Sequence, residues 1–286
     1  MSSRRQSQQP EVERVPAVDR PGAGWVALIG AGPSDPELIT LRGLSLLQRA
    51  DVVVIDRLAP RQLLDTVSPG TEVLDVGKHP GRHPVPQERI NALLVERARA
   101  GHRVARLKGG DPYVLGRGGE EAAACRAAGV IVENVPGVTS AIAVPATAGI
   151  PVTHRGLARG FSVVAAHEEL ISTVPVRRDH TLILLMGVTH LHRSTAALLD
   201  AGAAPDTPAA VVERGFLPDQ RVTATILRCL PDVAADIGVT APAVIVIGDV
   251  VSVSPAWKTR IVPGNETGGA PWKPKRTSCT HLFSPS

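Results

Sequence analysis

The sequence has few aromatic residues and few cysteines. Only 2% of its 286 residues are aromatic, too few for the stacking platforms of proteins that bind single-stranded nucleic acid. The three cysteines, Cys125, Cys229 and Cys279, lie far apart and without metal-ligand spacing. This pattern argues against a disulfide framework or a zinc site, so we expect no bound metal and a reducing, cytoplasmic environment.

Long apolar runs are also missing. No run approaches the roughly 20 residues of a membrane span, and the amino-terminal stretch MSSRRQSQQPEVERV has no apolar segment typical of a secretory signal. With 43% hydrophobic residues, the 286-residue chain can bury the core of one or two domains. We therefore expect a globular protein without a membrane partner.

The charge balance indicates the kind of partner. The net charge of +4 and the isoelectric point near 9.3 fit either nucleic acid or an acidic small molecule. Since aromatic residues are scarce, a polyanionic small molecule is the better fit, and we expect no nucleic-acid partner.

Strand and helix patterns alternate in the first half of the chain. Apolar runs predict strands at the positions 25–30, 51–56, 71–76, 102–107 and 130–135. Helices are predicted between them at 36–49, 87–100 and 120–128. This order of elements is typical of right-handed βαβ units and a parallel sheet.

The pattern changes after a small-residue helix predicted at 138–148. Strands follow at the positions 161–166, 180–186, 209–213, 221–227 and 243–251, and some alternate in a way that suits hairpins. The sequence thus predicts an α/β protein with two α/β domains, a mainly parallel one at 24–136 and a mixed one at 137–262, with a ligand cleft between them. Polar tails at 1–23 and 263–286 are predicted to be disordered.

The stretch LKGGDPYVLGRGGEE, residues 107–121, predicts a wide loop at the carboxyl end of the fourth strand. Ligands bind at this edge in open α/β sheets. Gly109 and Gly110 allow close approach of a flat ligand, and Asp111 can accept hydrogen bonds from hydroxyl groups. An ordinary strand-to-helix connection remains the alternative.

The stretch GAGPSDP, residues 30–36, lies at a strand-to-helix turn but departs from the dinucleotide pattern G-x-G-x-x-G. Asp35 occupies the last glycine position, and with Pro36 it predicts a capped helix start, which is a poor site for pyrophosphate. Pro33 places an apolar ring where an N–H donor would otherwise be. The turn therefore favours a ligand without phosphates.

Several motifs, in order, resemble the tetrapyrrole methyltransferases that use S-adenosylmethionine. They are GAGPSDPELITLRGLSLLQRADVVVIDRL, VGKHPGRHPVPQERIN, RLKGGDPYVLGRGGEE, VPGVTSA and GIPVTHR. The resemblance runs from about Trp25 to Val251 and implies two α/β domains with S-adenosylmethionine folded into the cleft between them, in a homodimer. It also implies a stand-alone methyltransferase rather than a fused siroheme synthase.

The resemblance assigns individual residues. It implies that Asp56 accepts a proton and Lys78 donates one, although Asp56 could instead pair with Arg57 and Lys78 could be a solvated loop lysine. It implies a cofactor pocket lined by Pro33, Gly109, Gly110, Asp111, Val114, Thr139, Ser140, Met186 and Gly215. A substrate with acetate and propionate groups needs cations in the cleft loops, for which the candidates are Arg57, Lys78, Arg82, His83, Lys108, Arg117, His154 and Arg155.

Four residues depart from the family's usual pattern. Ser34 stands where glycine is usual, so this turn must accommodate a Cβ. His79 replaces an arginine, which makes one substrate contact weaker or dependent on pH. Ala165 and Ala166 replace a Thr-Gly pair on the far wall of the cleft.

The resemblance implies two methyl transfers to uroporphyrinogen III, giving precorrin-2 by way of precorrin-1 for siroheme or cobalamin synthesis. A later precorrin methyltransferase is the alternative within the family. Outside it, the alternatives are a cofactor-binding module without chemistry and a nicotinamide-dependent oxidoreductase. The retention of both Asp56 and Lys78 argues against the first, and the Asp35-Pro36 helix start argues against the second.

Overall fold

The protein contains two five-stranded sheets, according to a computed structural model that describes residues 24–77, 85–166, 174–175 and 177–262. The tails predicted at 1–23 and 263–286 lie outside these residues, as do Lys78, His79, Arg82 and His83. No helix in the described ranges is long and apolar enough to cross a membrane.

The first sheet is entirely parallel, as predicted, with the strand order β3-β2-β4-β1-β5. Its strands are β1 (Trp25–Gly30), β2 (Val52–Ile55), β3 (Glu72–Asp75), β4 (Arg103–Lys108) and β5 (Ile131–Val135). The connecting helices are α1 (Leu41–Gln48), α2 (Gln87–Arg99) and α3 (Gly118–Ala127). Helix α1 packs on one face of the sheet, whereas α2 and α3 pack on the other.

The second sheet is mixed, which confirms the prediction. Its order is β6-β7-β10-β8-β9, in which β6 and β7 are parallel and the other neighbours are antiparallel. The strands are β6 (Gly160–Ala165), β7 (His180–Leu185), β8 (Pro208–Glu213), β9 (Arg221–Ile226) and β10 (Ala243–Ile247). Helix α4 (Ser140–Thr147) packs on one face, and α5 (Leu191–Asp200) and α6 (Leu230–Asp236) pack on the other.

Some predicted boundaries are wrong. The helix predicted at 36–49 is split into the 3₁₀ helix Pro36–Leu38 and α1, because the Thr40 hydroxyl caps a new helix by accepting from Gly43 N at 3.0 Å. The strand predicted at 243–251 ends at Ile247, since Gly248 turns the chain with a φ of 146° into the 3₁₀ helix Asp249–Val253. Helices α5 and α6 were not predicted.

Three glycines bring the backbones together at the carboxyl edge of the first sheet. Gly30 ends β1, and Gly110 and Gly137 each follow a strand by two residues. A Cβ on Gly137 would lie 2.3 Å from Gly110 O and 2.6 Å from Gly30 Cα, while one on Gly30 would lie 2.5 Å from Gly137 N. These glycines form a glycine junction, in which neither Gly30 nor Gly137 can carry a side chain without moving backbone.

We expect Gly137→Ala to lower the free energy of unfolding by about 2 to 3 kcal/mol, because the added methyl group overpacks a contact between backbones. Urea or thermal unfolding measures the change. The matched control is Gly119→Ala in α3, where an added Cβ meets no atom within 4 Å and stability is expected to stay the same or rise slightly. Wild-type stability in Gly137→Ala would contradict the packing described for the junction.

Candidate functional site

Asp56 follows directly after β2 and meets two cations from the neighbouring strand. Arg106 Nη2 donates to Asp56 Oδ1 at 2.6 Å, and Lys108 Nζ lies 3.7 Å from Asp56 Oδ2. The parallel register pairs Ile55 with Leu107, so β4 presents Arg106 and Lys108 from the same face beside the end of β2. The pair between Asp56 and Arg57, considered as an alternative from the sequence, is thus replaced by a pair with Arg106.

A second carboxylate lies beneath these cations. Glu121, in the first turn of α3, is fully buried, and its Oε1 accepts from Arg106 Nε at 3.1 Å and Lys108 Nζ at 3.1 Å. Gln87 Nε2 donates to the same oxygen at 3.2 Å. Two cations and two carboxylates therefore form one charge network from α3 to the edge of the sheet.

Lys108 differs from the loop cation that the sequence predicted. It is the last residue of β4, is only 4% exposed, and lies among carboxylates of the protein itself. Burial, together with the nearby charge of Arg106, lowers the pKa of Lys108, although the carboxylates of Asp56 and Glu121 oppose this. Its contact with substrate stays a prediction.

The loop after β4 is held in shape by its own backbone and by Asp111. Asp111 Oδ1 accepts from Tyr113 N at 2.7 Å, and Oδ2 accepts from Gly137 N at 3.0 Å. The carboxylate thereby joins the loops that follow β4 and β5. Since each oxygen has a further lone pair, Asp111 can still accept a hydroxyl hydrogen bond as predicted. Val114, in the same loop, is half-buried.

Gly109 and Gly110 have different roles. A Cβ on Gly109 would lie 2.8 Å from Leu58 O, so packing inside the protein already excludes a side chain there. Gly110 has a φ of 70°, and a Cβ on it would meet nothing closer than Ser140 N at 3.7 Å. Unlike Gly109, Gly110 therefore has room for a Cβ, on the side that faces the first residue of α4.

Helix α4 contacts the loops of both sheets. Thr139 caps it by accepting from Ala141 N at 3.3 Å. Ser140 N is the atom nearest to a Cβ built on Gly110. A Cβ on Gly215, in the loop after β8, would lie 2.7 Å from Val144 Cγ1 on the same helix. The predicted cofactor residues of the two halves thus lie against one short helix.

Strained backbone is concentrated in these loops. Six non-glycine residues of the described chain have a positive φ, and they follow the carboxyl ends of β1, β4, β7 and β8: Ser34, Leu115, Arg117, Met186, Arg214 and Phe216. Because β7 and β8 both run antiparallel to β10, their carboxyl ends share one edge. Strain of this kind clusters at ligand sites, and here it occurs in loops that carry the predicted cofactor residues.

A buried carboxylate also supports the loop after β8. Glu213 accepts from Arg221 Nε at 2.5 Å and Nη2 at 2.9 Å, from Arg214 Nη1 at 3.2 Å and from Thr240 N at 3.0 Å. Burial alone would raise the pKa of Glu213, but the hydrogen bonds from Arg221 and Thr240 N and the charges of both arginines lower it. The ionised carboxylate fixes Arg214 next to Gly215.

The remaining predicted cations are on the surface. Arg57, His154 and Arg155 are exposed, and Arg117 pairs with exposed Glu120 at 2.6 Å. His154 Nδ1 is 2.8 Å from the backbone oxygen of Arg155. Lys78, Arg82 and His83 lie outside the described residues, so their roles as proton donor and substrate ligands stay predictions.

Sequence reasoning missed Arg106, Glu121 and Glu213, which position the predicted residues. The available signal was the strand RVARLK, in which Arg106 and Lys108 share a face of a buried strand and therefore need carboxylate partners. Glu121 was visible in GRGGEE, but its partner was not evident without the packing of α3 against the sheet.

The chain matches the family Tetrapyrrole (Corrin/Porphyrin) Methylases over residues 26–231. The chain belongs to this family. An S-adenosyl-L-methionine-dependent uroporphyrinogen III methyltransferase of Methanosarcina barkeri is 46% identical over 235 residues, which cover 80% of this chain and 92% of the relative. A siroheme synthase of Methylococcus capsulatus is 44% identical over 82% of this chain, but this alignment spans only 51% of the synthase.

Solved structures agree with this assignment. A uroporphyrin-III C-methyl transferase from Thermus thermophilus, complexed with S-adenyl homocysteine, is 42% identical and has a TM-score of 0.69, with 80% of this chain and 100% of that chain covered. A cobalt precorrin-4 methyltransferase is 32% identical and has a TM-score of 0.70, with 79% and 95% covered. The tetrapyrrole methylase fold is therefore shared.

We expect Ser34→Gly to raise the free energy of unfolding by about 1 kcal/mol, because Ser34 has a φ of 58° and a Cβ is disfavoured in that region. Denaturant unfolding measures the gain. The control is Ser68→Gly at an exposed turn serine without positive φ, where greater freedom of the unfolded chain is expected to lower stability. Equal changes in the two variants would contradict the explanation from backbone strain.

We expect Glu213→Gln to lower stability at pH 7 by about 3 kcal/mol, because it breaks a buried ion pair. Since the folded-state pKa of Glu213 is lowered, its contribution is complete above the ordinary value of 4.5 and is lost as pH falls through the folded value. When unfolding is measured from pH 7 to pH 3, the free energy of unfolding is therefore expected to fall less in the variant than in the wild type. Glu96→Gln, at an exposed position, is the control. If Glu213→Gln lost as much free energy of unfolding as the wild type between pH 7 and pH 3, this assignment would be contradicted.

Proposed function

We propose that the chain is an S-adenosylmethionine-dependent C-methyltransferase that converts uroporphyrinogen III to precorrin-2 by two methyl transfers, by way of precorrin-1. The product would feed siroheme or cobalamin synthesis. Two uroporphyrinogen-III methyltransferases, from Methanosarcina barkeri and Methanocaldococcus jannaschii, support this proposal with 46% and 44% identity over 92% and 98% of their lengths. The observation that carries it within this chain is the Asp56 carboxylate, held between two cations at the sheet edge.

The cofactor site fits the residues present. The side of Gly110 that has room for a Cβ faces the amino end of α4, where Thr139 and Ser140 lie. Exposed apolar side chains occur in the loops after β2, β4, β5 and β7 and on α4, as expected for a surface that covers a ligand; they are Leu58, Tyr113, Leu115, Val138, Ile142 and Met186. We propose that the cofactor is held by Pro33, Gly109, Gly110, Asp111, Val114, Thr139, Ser140, Met186 and Gly215.

Bound S-adenosylmethionine would supply a methyl group from its sulfonium to an electron-rich ring carbon. The ring carbon forms its new bond with a π-electron pair, so the tetrapyrrole becomes positively charged until a proton leaves. Asp56 is proposed to accept that proton, because its carboxylate is 30% exposed while Arg106 and Lys108 fix its direction. Lys78 is proposed as the proton donor on the resemblance alone.

The substrate's carboxylates need cations outside this internal network. Exposed Arg57 adjoins Asp56, and His154 and Arg155 lie in the loop before β6. These residues, together with Arg82, His83 and Arg117, are the proposed carboxylate ligands. A cytoplasmic location and a homodimeric state, both expected from the sequence, complete the proposal.

The reaction is tested by anaerobic incubation with S-adenosylmethionine and freshly generated uroporphyrinogen III, followed by mass measurement of the product. The proposal predicts two added methyl groups. Saturable binding of S-adenosylmethionine without any added methyl group would contradict it and favour a later precorrin as substrate or a binding module without chemistry.

We expect Asp56→Asn to lower turnover by about 10² or more, because a positioned general base contributes roughly this factor. The affinity for S-adenosylmethionine, measured by calorimetry, is expected to change less than about twofold, since Asp56 is assigned to proton transfer. Asp65→Asn, in the exposed 3₁₀ helix Arg61–Thr66, is the control. A normal rate in Asp56→Asn would remove Asp56 from the mechanism.

A further inference from the structure

Glu121 is a buried carboxylate that does not reach the surface of the site. It is 0% exposed, and its Oε1 accepts from Arg106 Nε, Lys108 Nζ and Gln87 Nε2 at 3.1, 3.1 and 3.2 Å. These donors come from β4 and from the first residue of α2, so one oxygen joins a strand and two helices.

The two cations held by Glu121 are the ones that hold Asp56. Arg106 uses Nε for Glu121 and Nη2 for Asp56, where the distance to Oδ1 is 2.6 Å. Its Nη1 donates to Val54 O at 3.3 Å, which fixes the guanidinium plane against β2. Lys108 Nζ lies 3.1 Å from Glu121 and 3.7 Å from Asp56 Oδ2. Each cation thus connects the buried carboxylate with one oxygen of the partly exposed one.

A contribution to stability does not by itself explain this buried charge network. Burying ionic groups carries a large desolvation cost, and apolar residues of similar volume often serve as well or better. Glu121 Oε2 adds to the cost, because it is buried and has no hydrogen-bond partner among the described residues. A group retained under these conditions at a candidate site is better explained by a function.

We propose that Glu121 is a positioning residue for proton transfer, which acts by fixing Arg106 and Lys108 so that they orient the Asp56 carboxylate. This inference rests on the proposed function of the site. With Glu121 ionised, the four charges sum to zero, and both cations are drawn toward α3 as well as toward Asp56. Without this charge, the attraction of both cations toward Asp56 would be unopposed, and the direction of its carboxylate would change.

Lys108 has a role different from substrate binding in this network. Its ammonium group is buried and is engaged by two carboxylates of the protein, so it has little charge left for a substrate carboxylate. Lys108 instead belongs to the support of Asp56.

A double-mutant cycle tests the proposal. Turnover and S-adenosylmethionine affinity are measured for wild type, Glu121→Gln, Asp56→Asn and the double variant. We expect Glu121→Gln to lower kcat at least tenfold while the Kd for S-adenosylmethionine changes less than about threefold. Because Glu121 acts through Asp56, the double variant is expected to be no slower than Asp56→Asn alone. A structural role would make the two losses multiply.

Glu133→Gln is the matched control. Glu133 is a buried carboxylate on β5 that accepts two hydrogen bonds from Arg42 at 2.8 and 2.7 Å, away from Asp56. Its turnover is expected to stay within about twofold of wild type. If Glu121→Gln does not fold, Glu121→Asp replaces it in the cycle. The expected result is the same: kcat falls while the Kd for S-adenosylmethionine changes little.

The outcomes separate the two proposals. Normal turnover in the folded Glu121 variant, or losses that multiply in the double variant, would overturn the role of Glu121 and leave the proposed function intact. A wild-type protein that transfers no methyl group would overturn both.

Discussion

Backbone atoms of Gly30, Gly110 and Gly137 meet at the carboxyl edge of the first sheet and link β1, β4 and β5 to helix α4. Because Gly30 and Gly137 carry no side chains, the backbone at the ends of β1 and β5 can lie against Gly110 O at the end of β4. Asp111 completes the contact by accepting from Gly137 N at 3.0 Å. The contact fixes where α4 begins, and α4 in turn packs against Gly215 in the second half of the chain.

Two buried carboxylates support the carboxyl edges of the two sheets. Glu121 supports the cations beside Asp56, and Glu213 supports the strained turn that contains Arg214 and Gly215. Both are fully buried, and in a low-dielectric interior their charges act strongly on neighbouring groups. The candidate site thus combines a close backbone contact at the glycine junction with side chains held in position by buried ion pairs.

Much of the fold was predictable from the sequence, because apolar runs and glycine turns are local features. The ten strands of the described residues were predicted close to their positions, and the left-handed turn at Ser34 agrees with the expectation that glycine suits that position. The partners of Asp56 were not predictable, since Arg106 and Glu121 meet it only through strand register and helix packing. Likewise, Gly109 resembled a ligand contact in sequence, but its packing against Leu58 becomes evident only in three dimensions.

We propose that one cofactor site lies beside Gly110, bounded by the amino end of α4 and by the loops after β7 and β8. A crystal structure of the protein with S-adenosylhomocysteine tests this claim most directly. We expect ligand density against Gly110 and Thr139, with Met186 and Gly215 on the opposite side. Density at another place, with the space beside Gly110 unchanged and empty, would contradict it.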